Sequence, residues 1–176
     1  MQQTTFVIGG CRSGKSDHAL KLAESYNLPH HVYIATCVPQ DDEMRYRVER
    51  HRAERGPRWS TVEEPIRLPE TLKSFCSPDT VLLVDCLTLW VTNLVIDSDT
   101  KDPECFLEPT RQLVQSLEDA QGPVVLVSNE VGTGIVPENH LSRLFRDTAG
   151  SVNQYVAKAV DTVIWMVAGI PVIIKG

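Results

Sequence analysis

The sequence predicts an α/β fold, a mostly parallel sheet with helices on both faces, and three features carry that reading. Short β-branched apolar runs recur along the chain, helical segments separate them, and the first run ends in a glycine-rich turn. Runs this short without polar alternation suit strands buried on both faces. Their alternation with helices implies right-handed crossovers and a layered sheet.

Taken in order, Thr4–Ile8 (TTFVI) is the first strand, followed by the turn Gly9–Ser16 and a helix over Lys15–Ser25. Val32–Ala35 (VYIA) is the second, with a helix predicted over Asp41–Arg55. Val81–Asp85 (VLLVD) and Val124–Ser128 (VVLVS) are the next two, with helices over Leu87–Ile96 and Cys105–Ala120 between them. A long helix spans Glu138–Val160. At the end, Thr162–Ala168 and Pro171–Lys175 flank Gly169-Ile170 and predict a C-terminal hairpin on one edge. With no repeat, low-complexity tract or linker, residues 1–176 read as a single domain.

Composition narrows the function. A chain of 176 residues that is 42% hydrophobic can bury a substantial core. Its net charge of −6 argues against nucleic-acid binding, which needs a basic face to neutralise phosphates. No basic segment leads into a long apolar run, so no secretory signal is expected, and no window is long and apolar enough to span a membrane. Five scattered cysteines (11, 37, 76, 86 and 105) without a Cys-x-x-Cys pair suggest reduced thiols in a cytoplasm.

The strongest local signal is Gly9-Gly10-Cys11-Arg12-Ser13-Gly14-Lys15-Ser16, which fits G-x-x-x-x-G-K-[ST] between a strand and a helix. Its glycines let the backbone curl so that successive N–H groups face phosphate oxygens, and the helix start adds its positive dipole end. In such a loop Lys15 reaches the β- and γ-phosphates while the Ser16 hydroxyl ligates Mg²⁺. The motif places the fold among P-loop, RecA-like nucleotide-binding domains. A second acid on a neighbouring strand is then needed for the metal shell. Asp85, ending VLLVD, stands at the carboxyl end where open α/β sheets bind ligands; its plainer role is a turn or helix-capping residue.

Asp41–Arg55 (DDEMRYRVERHRAER) begins acidic and ends basic, as the helix dipole favours. Met44, Val48, His51 and Arg55 fall on one narrow helical face, so an apolar stripe turns into an imidazole and a guanidinium. That makes His51 a candidate general base or nucleophile facing the phosphates. A solvated charged helix with a structural histidine is the alternative, and composition does not choose.

Beyond these blocks the chain resembles, nearly end to end, the bifunctional adenosylcobinamide kinase / adenosylcobinamide-phosphate guanylyltransferase family of vitamin B12 coenzyme assembly. The resemblance rests on GGCRSGKS (9–16), YIATC (33–37), DDEMRYRVERHR (41–52), WSTVE (59–63), LLVDCLTLWVTNL (82–94), VSNEVGTGIVPEN (127–139) and FRDTAGSVNQ (145–154). It implies a two-step enzyme using ATP or GTP, with Mg²⁺. A phosphoryl group goes first to the aminopropanol hydroxyl of adenosylcobinamide. GMP is then taken from GTP onto a histidine and passed to the cobinamide phosphate. The guanylylated histidine falls on His51, beside Lys15 as a catalytic cation. Nucleotide contacts fall on Gly9–Ser16, on Ala35, Thr36 and Cys37, on Arg52, Ala53, Glu54 and Arg55, and on Glu63 and Asp85. Metal contacts fall on Ser16 and Asp85. Each of these has a plainer alternative: Thr36 as a turn residue, Arg52 and Arg55 as surface charges, Glu63 as an exposed acid in a polar loop. No Asn-Lys-x-Asp motif reads guanine. The resemblance also implies a trimer, which would cover the apolar face of the long helix; otherwise Leu141, Leu144, Phe145 and Val152 face their own core. A simple P-loop kinase without a covalent intermediate, and a nonenzymatic nucleotide switch, remain the competing classes.

Overall fold

The structure is a computed structural model that describes residues 4–38, 56–98 and 102–176. The predicted helix Asp41–Arg55, and with it His51, Arg52, Ala53, Glu54 and Arg55, lies outside the described residues.

The strands are β1 (Thr4–Gly9), β2 (His30–Ala35), β3 (Trp59–Glu63), β4 (Thr80–Asp85), β5 (Val124–Asn129), β6 (Thr162–Val167) and β7 (Ile170–Lys175). The helices are α1 (Lys15–Ser25), α2 (Leu68–Phe75), α3 (Leu87–Asp97), α4 (Leu107–Glu118) and α5 (His140–Ala159), with a 3-10 turn over Pro103–Phe106 ahead of α4. The seven strands form one sheet in the order β3-β2-β4-β5-β1-β6-β7. Every neighbouring pair is parallel except β6 and β7.

Alternation along each strand divides the core. Phe6, Ile8, Val32, Ile34, Leu82, Val84 and Leu126 face one side, where they meet apolar residues of α2, α3, α4 and α5. Val7, Tyr33, Leu83, Val125 and Val127 face the other side. Among the described residues α1 is the helix covering that second side, and its buried Ala19 and Ala23 leave nothing to hold it off the sheet. The long helix packs on its own chain through Leu144 and Val152, with Phe145 half-buried against them, whereas Leu141 is exposed.

Several boundaries differ from expectation. The strand β3 and the helix α2 were not predicted. WSTVE is half polar because β3 is an edge strand with little to bury, and α2 is a short helix opened by Pro69. Glu63 therefore ends a strand and does not sit in a polar loop. The long helix starts at His140, since the Asn139 side chain caps it by accepting from the amides of Leu141 and Ser142. The hairpin turn is Ala168-Gly169 and not Gly169-Ile170. Both residues have positive φ, 51° and 83°, the mirror-image geometry that matches the twist of paired strands.

At the amino end of the sheet, buried His31 on β2 sits edge-on to Trp59 on β3, with ring centroids 5.0 Å apart, and its Nδ1 has no partner among the described residues. Burial lowers the His31 pKa below 6.5, and the nearby Arg58 lowers it further, against a smaller opposing pull from Glu24 on α1. The folded state thus binds this proton less readily than the unfolded chain. The stability His31 contributes is complete above about pH 6.5 and is lost as pH falls towards its folded value. In urea unfolding across pH 5–7.5, His31→Phe is expected to flatten the acid-side slope; an unchanged slope would assign it to other groups.

Candidate functional site

The carboxyl edge of the sheet collects the chemistry. Gly9 pairs with Asn129, and Ala35 pairs with both Glu63 and Asp85, so these strand ends lie along one rim. At its centre the chain leaves β1, turns through the glycine-rich loop, and enters α1 at Lys15. Arg12 and Gly14 both adopt positive φ, 53° and 86°, which curls the loop back on itself. Within the curl the Ser13 amide donates to the Gly10 carbonyl at 3.3 Å.

Two observations show how tightly this loop is seated. A Cβ on Gly9 would come within 2.6 Å of Ser13 Oγ and 2.7 Å of the Met166 carbonyl on β6, so no larger residue fits. From the other side, the Gly169 amide in the β6–β7 turn donates to the Ser13 carbonyl at 3.0 Å. The C-terminal hairpin therefore braces the loop. Inside it, the Ser13 hydroxyl is buried with no partner among the described residues, a polar orphan where a phosphate oxygen would be received. Lys15 Nζ donates to the Gly10 carbonyl at 3.1 Å, within the same loop.

Asp85 ends β4 and is partly exposed. It is not on the strand next to β1, as expected, because β5 lies between them. Two strand spacings, about 10 Å, separate the Asp85 and P-loop strands, leaving room for a metal-bound phosphate between acid and loop. Next to it, the Thr36 hydroxyl donates to the Cys86 carbonyl at 2.7 Å and accepts from the Cys86 amide at 2.9 Å. Asn93 Nδ2 on α3 donates to the carbonyls of Thr36 and Pro65 at 2.7 and 3.1 Å. Thr36, expected to meet nucleotide, is thus fully buried as a clamp between two strand ends. Ala35 is buried too, and its carbonyl accepts from the Glu64 amide at 2.9 Å. Cys37 lies just beyond, partly exposed. Burial pushes the Cys86 thiol up to about 12, with the Asp85 carboxylate adding to the effect, so this sulfur stays protonated.

A second knot lies where β5 ends. Thr88, in the first turn of α3, accepts from the Asn129 amide at 2.7 Å and lies 3.3 Å from the Ser128 hydroxyl. Asn153 Nδ2 on α5 donates to the Asn129 carbonyl at 3.3 Å, and the Glu130 amide donates to the Gly9 carbonyl at 3.0 Å. Sequence reasoning gave no role to Thr88 or Asn93. The available signal was the polar side chains of Thr88, Thr92 and Asn93 within a helix that is otherwise mostly apolar.

A glycine-rich cradle between β1 and α1, a carboxylate ending a strand one removed, and a mostly parallel sheet define a P-loop, RecA-like nucleotide-binding fold. Solved structures agree. An ATPase of the type III secretion system of pathogenic bacteria superposes with a TM-score of 0.57 at 12% identity, covering 94% of this chain and 51% of that one. The flagellar accessory protein FlaH of Methanocaldococcus jannaschii gives 0.54 at 12% identity, covering 99% and 78%. Sequence relatives are more specific. The bifunctional adenosylcobalamin biosynthesis protein CobP of Pseudomonas aeruginosa is 43% identical over 97% of this chain and 96% of its own. The bifunctional adenosylcobalamin biosynthesis protein CobU of Escherichia coli is 42% identical over 96% and 98%. The family model for cobinamide kinase / cobinamide phosphate guanyltransferase matches residues 5–174, and the chain belongs to that family.

The seating of Gly9 yields a direct test. Gly9→Ala is expected to weaken nucleotide binding by roughly tenfold or more, matching the 1–3 kcal/mol that overpacking typically costs. Titration calorimetry reads the loss, and wild-type affinity would show that Ser13 and β6 yield freely.

Proposed function

We propose that the chain phosphorylates adenosylcobinamide with ATP or GTP. It then moves GMP from GTP, through a covalent bond to His51, onto adenosylcobinamide phosphate. Both steps are housed in one domain of residues 1–176. The observation that carries the reading is the braced loop Gly9–Ser16, standing on the carboxyl rim of a chain that matches the family from residue 5 to 174.

In the kinase step the loop amides and Lys15 hold the β- and γ-phosphates. The acceptor hydroxyl oxygen attacks the γ-phosphorus, the bond to the β-bridging oxygen breaks, and the hydroxyl proton leaves to solvent. In the transferase step a neutral imidazole nitrogen of His51 attacks the α-phosphorus and pyrophosphate departs. The acceptor's phosphate oxygen then displaces the imidazole, which makes the diphosphate link and restores His51. Lys15 stabilises charge on the equatorial oxygens in both steps.

Ser16 and Asp85 fit a magnesium ion, since one hydroxyl and one carboxylate, completed by phosphates and water, is a donor set magnesium uses. The ion would neutralise phosphate charge. Among the described residues no group of three His, Cys, Asp or Glu offers a protein-only cage, which accords with a metal held partly by substrate.

Arg52, Ala53, Glu54 and Arg55, together with Glu63 and Cys37, complete the nucleotide contacts in this reading. Glu63 is supported by its place on the rim, one strand beyond Ala35. For Ala35 and Thr36 the buried clamp supports backbone shaping of the rim in preference to side-chain contact. A cytoplasmic homotrimer belongs to the same reading. Exposed apolar side chains along β7 support a covered surface, and no described helix is long and apolar enough to cross a membrane.

With α-labelled GTP and Mg²⁺, acid-labile label is expected to remain on precipitated protein and to vanish in His51→Ala, which should keep most of its kinase rate. Phosphorylation of cobinamide without any protein-bound label would select a kinase lacking the covalent step. Lys15→Ala is expected to slow both half-reactions by about a hundredfold or more, read in separate kinase and labelling assays; loss of only one would deny it a shared role.

A further inference from the structure

A bulky corrinoid acceptor needs a surface beside the phosphate loop, and neither of two hollows among the described residues supplies one. The cavity between the 3-10 turn, α4 and α5 holds about 160 Å³, below the roughly 300–1,000 Å³ typical of small-molecule pockets. A larger hollow of about 510 Å³ is lined by Lys158, Val163 and Lys175. It lies at the amino end of the sheet, the wrong end for phosphoryl transfer, since β6 enters there and Lys175 pairs with Val163.

The carboxyl rim offers something different. Asn153 on α5 is level with Asn129 at the end of β5, and the helix then descends to Val160, beside which the Asp161 amide reaches the Thr4 carbonyl. The stretch His140–Val152 therefore continues past the rim, for about 20 Å at 1.5 Å per residue. The loop Glu130–Asn139 climbs the same distance from its start beside Gly9. It is fastened at both ends: Glu130 Oε1 accepts from the Gly132 amide at 2.7 Å, and Arg143 Nη1 donates to the carbonyls of Pro137 and Glu138 at 3.0 and 2.5 Å. Between those fastenings Ile135 is 96% exposed and Val136 60%, and Leu141 at the helix start is 45% exposed. An anchored loop that presents aliphatic side chains to solvent is organised for an apolar contact.

We propose that Ile135 and Val136, with Leu141 behind them, form the platform on which the corrin ring of the cobinamide acceptor rests while its hydroxyl arm reaches the phosphate loop. The inference rests on the function proposed above and names where its acceptor binds. Continuity with the loop favours this occupant: the platform rises from the residue bonded to Gly9. The aliphatic side chains match the ring's apolar face.

The test is Ile135→Ser/Val136→Ser in the full chain, with Ile135→Val as the conservative control. The double variant is expected to raise KM for adenosylcobinamide about tenfold or more with little change in kcat. KM for nucleotide, protein-bound GMP label formed without corrinoid, and sedimentation should match the parent, and Ile135→Val should restore near-parental KM. Unchanged corrinoid KM in an active double variant would overturn the platform and leave the two-step function standing. An altered sedimentation coefficient accompanying the KM change would overturn it in favour of a contact between copies. If the parent chain itself phosphorylates no corrinoid, the functional reading fails with it.

Discussion

The molecule depends on the absence of a side chain at Gly9. Because β1 ends without a Cβ, Ser13 and the backbone of β6 can close to within van der Waals reach of the strand end. That closeness lets the loop curl through two positive-φ residues. Everything else on the rim is arranged around that curl. Glu130 is tied to the Gly9 carbonyl, the hairpin turn holds the Ser13 carbonyl, and α1 begins where the curl ends. A phosphate site of this kind is made of backbone, so its precision comes from packing around a gap and not from any one functional group.

The rim also shows a division of labour. Residues that meet ligand in this account, such as Lys15, Asp85 and Glu63, keep some exposure. Residues that hold the strand ends at fixed separation, Thr36, Thr88, Asn93 and Asn153, spend their hydrogen bonds on backbone groups. Side chains tied to main chain in this way stiffen the frame, because breaking a buried bond strands its partner out of water. A rigid frame suits an enzyme whose chemistry is mainly positioning and charge stabilisation.

Much of this was legible in the sequence, and the reasons are specific. Central strands β1, β4 and β5 are buried on both faces, so they are written as continuous apolar runs, and the loop between β1 and α1 carries a pattern few other turns need. The edge strand β3 escaped because one open side removes the apolar signal, and α2 escaped because eight residues span barely two turns. Thr36 shows a different limit. Its position was legible while its use was not, since a threonine after a strand looks alike whether it meets a ligand or a neighbouring main chain. The acid at position 85 was found, yet the strand inserted between it and the loop was not, because sheet order is set by crossovers that a linear pattern does not record. His51, proposed above as the guanylylated residue, was singled out by helical spacing and by family resemblance, and it lies outside the described residues.

The turn at Ala168-Gly169 has a consequence for anyone who shortens the protein. Its strand β7 is exposed along its whole length and looks dispensable, yet it is antiparallel to β6 and so fixes where the turn points. Clipping the last few residues would remove no side chain from the carboxyl rim. It would release the main-chain tether that keeps the triphosphate cradle shut from behind, so a trimmed protein could retain its fold while its grip on nucleotide slackens.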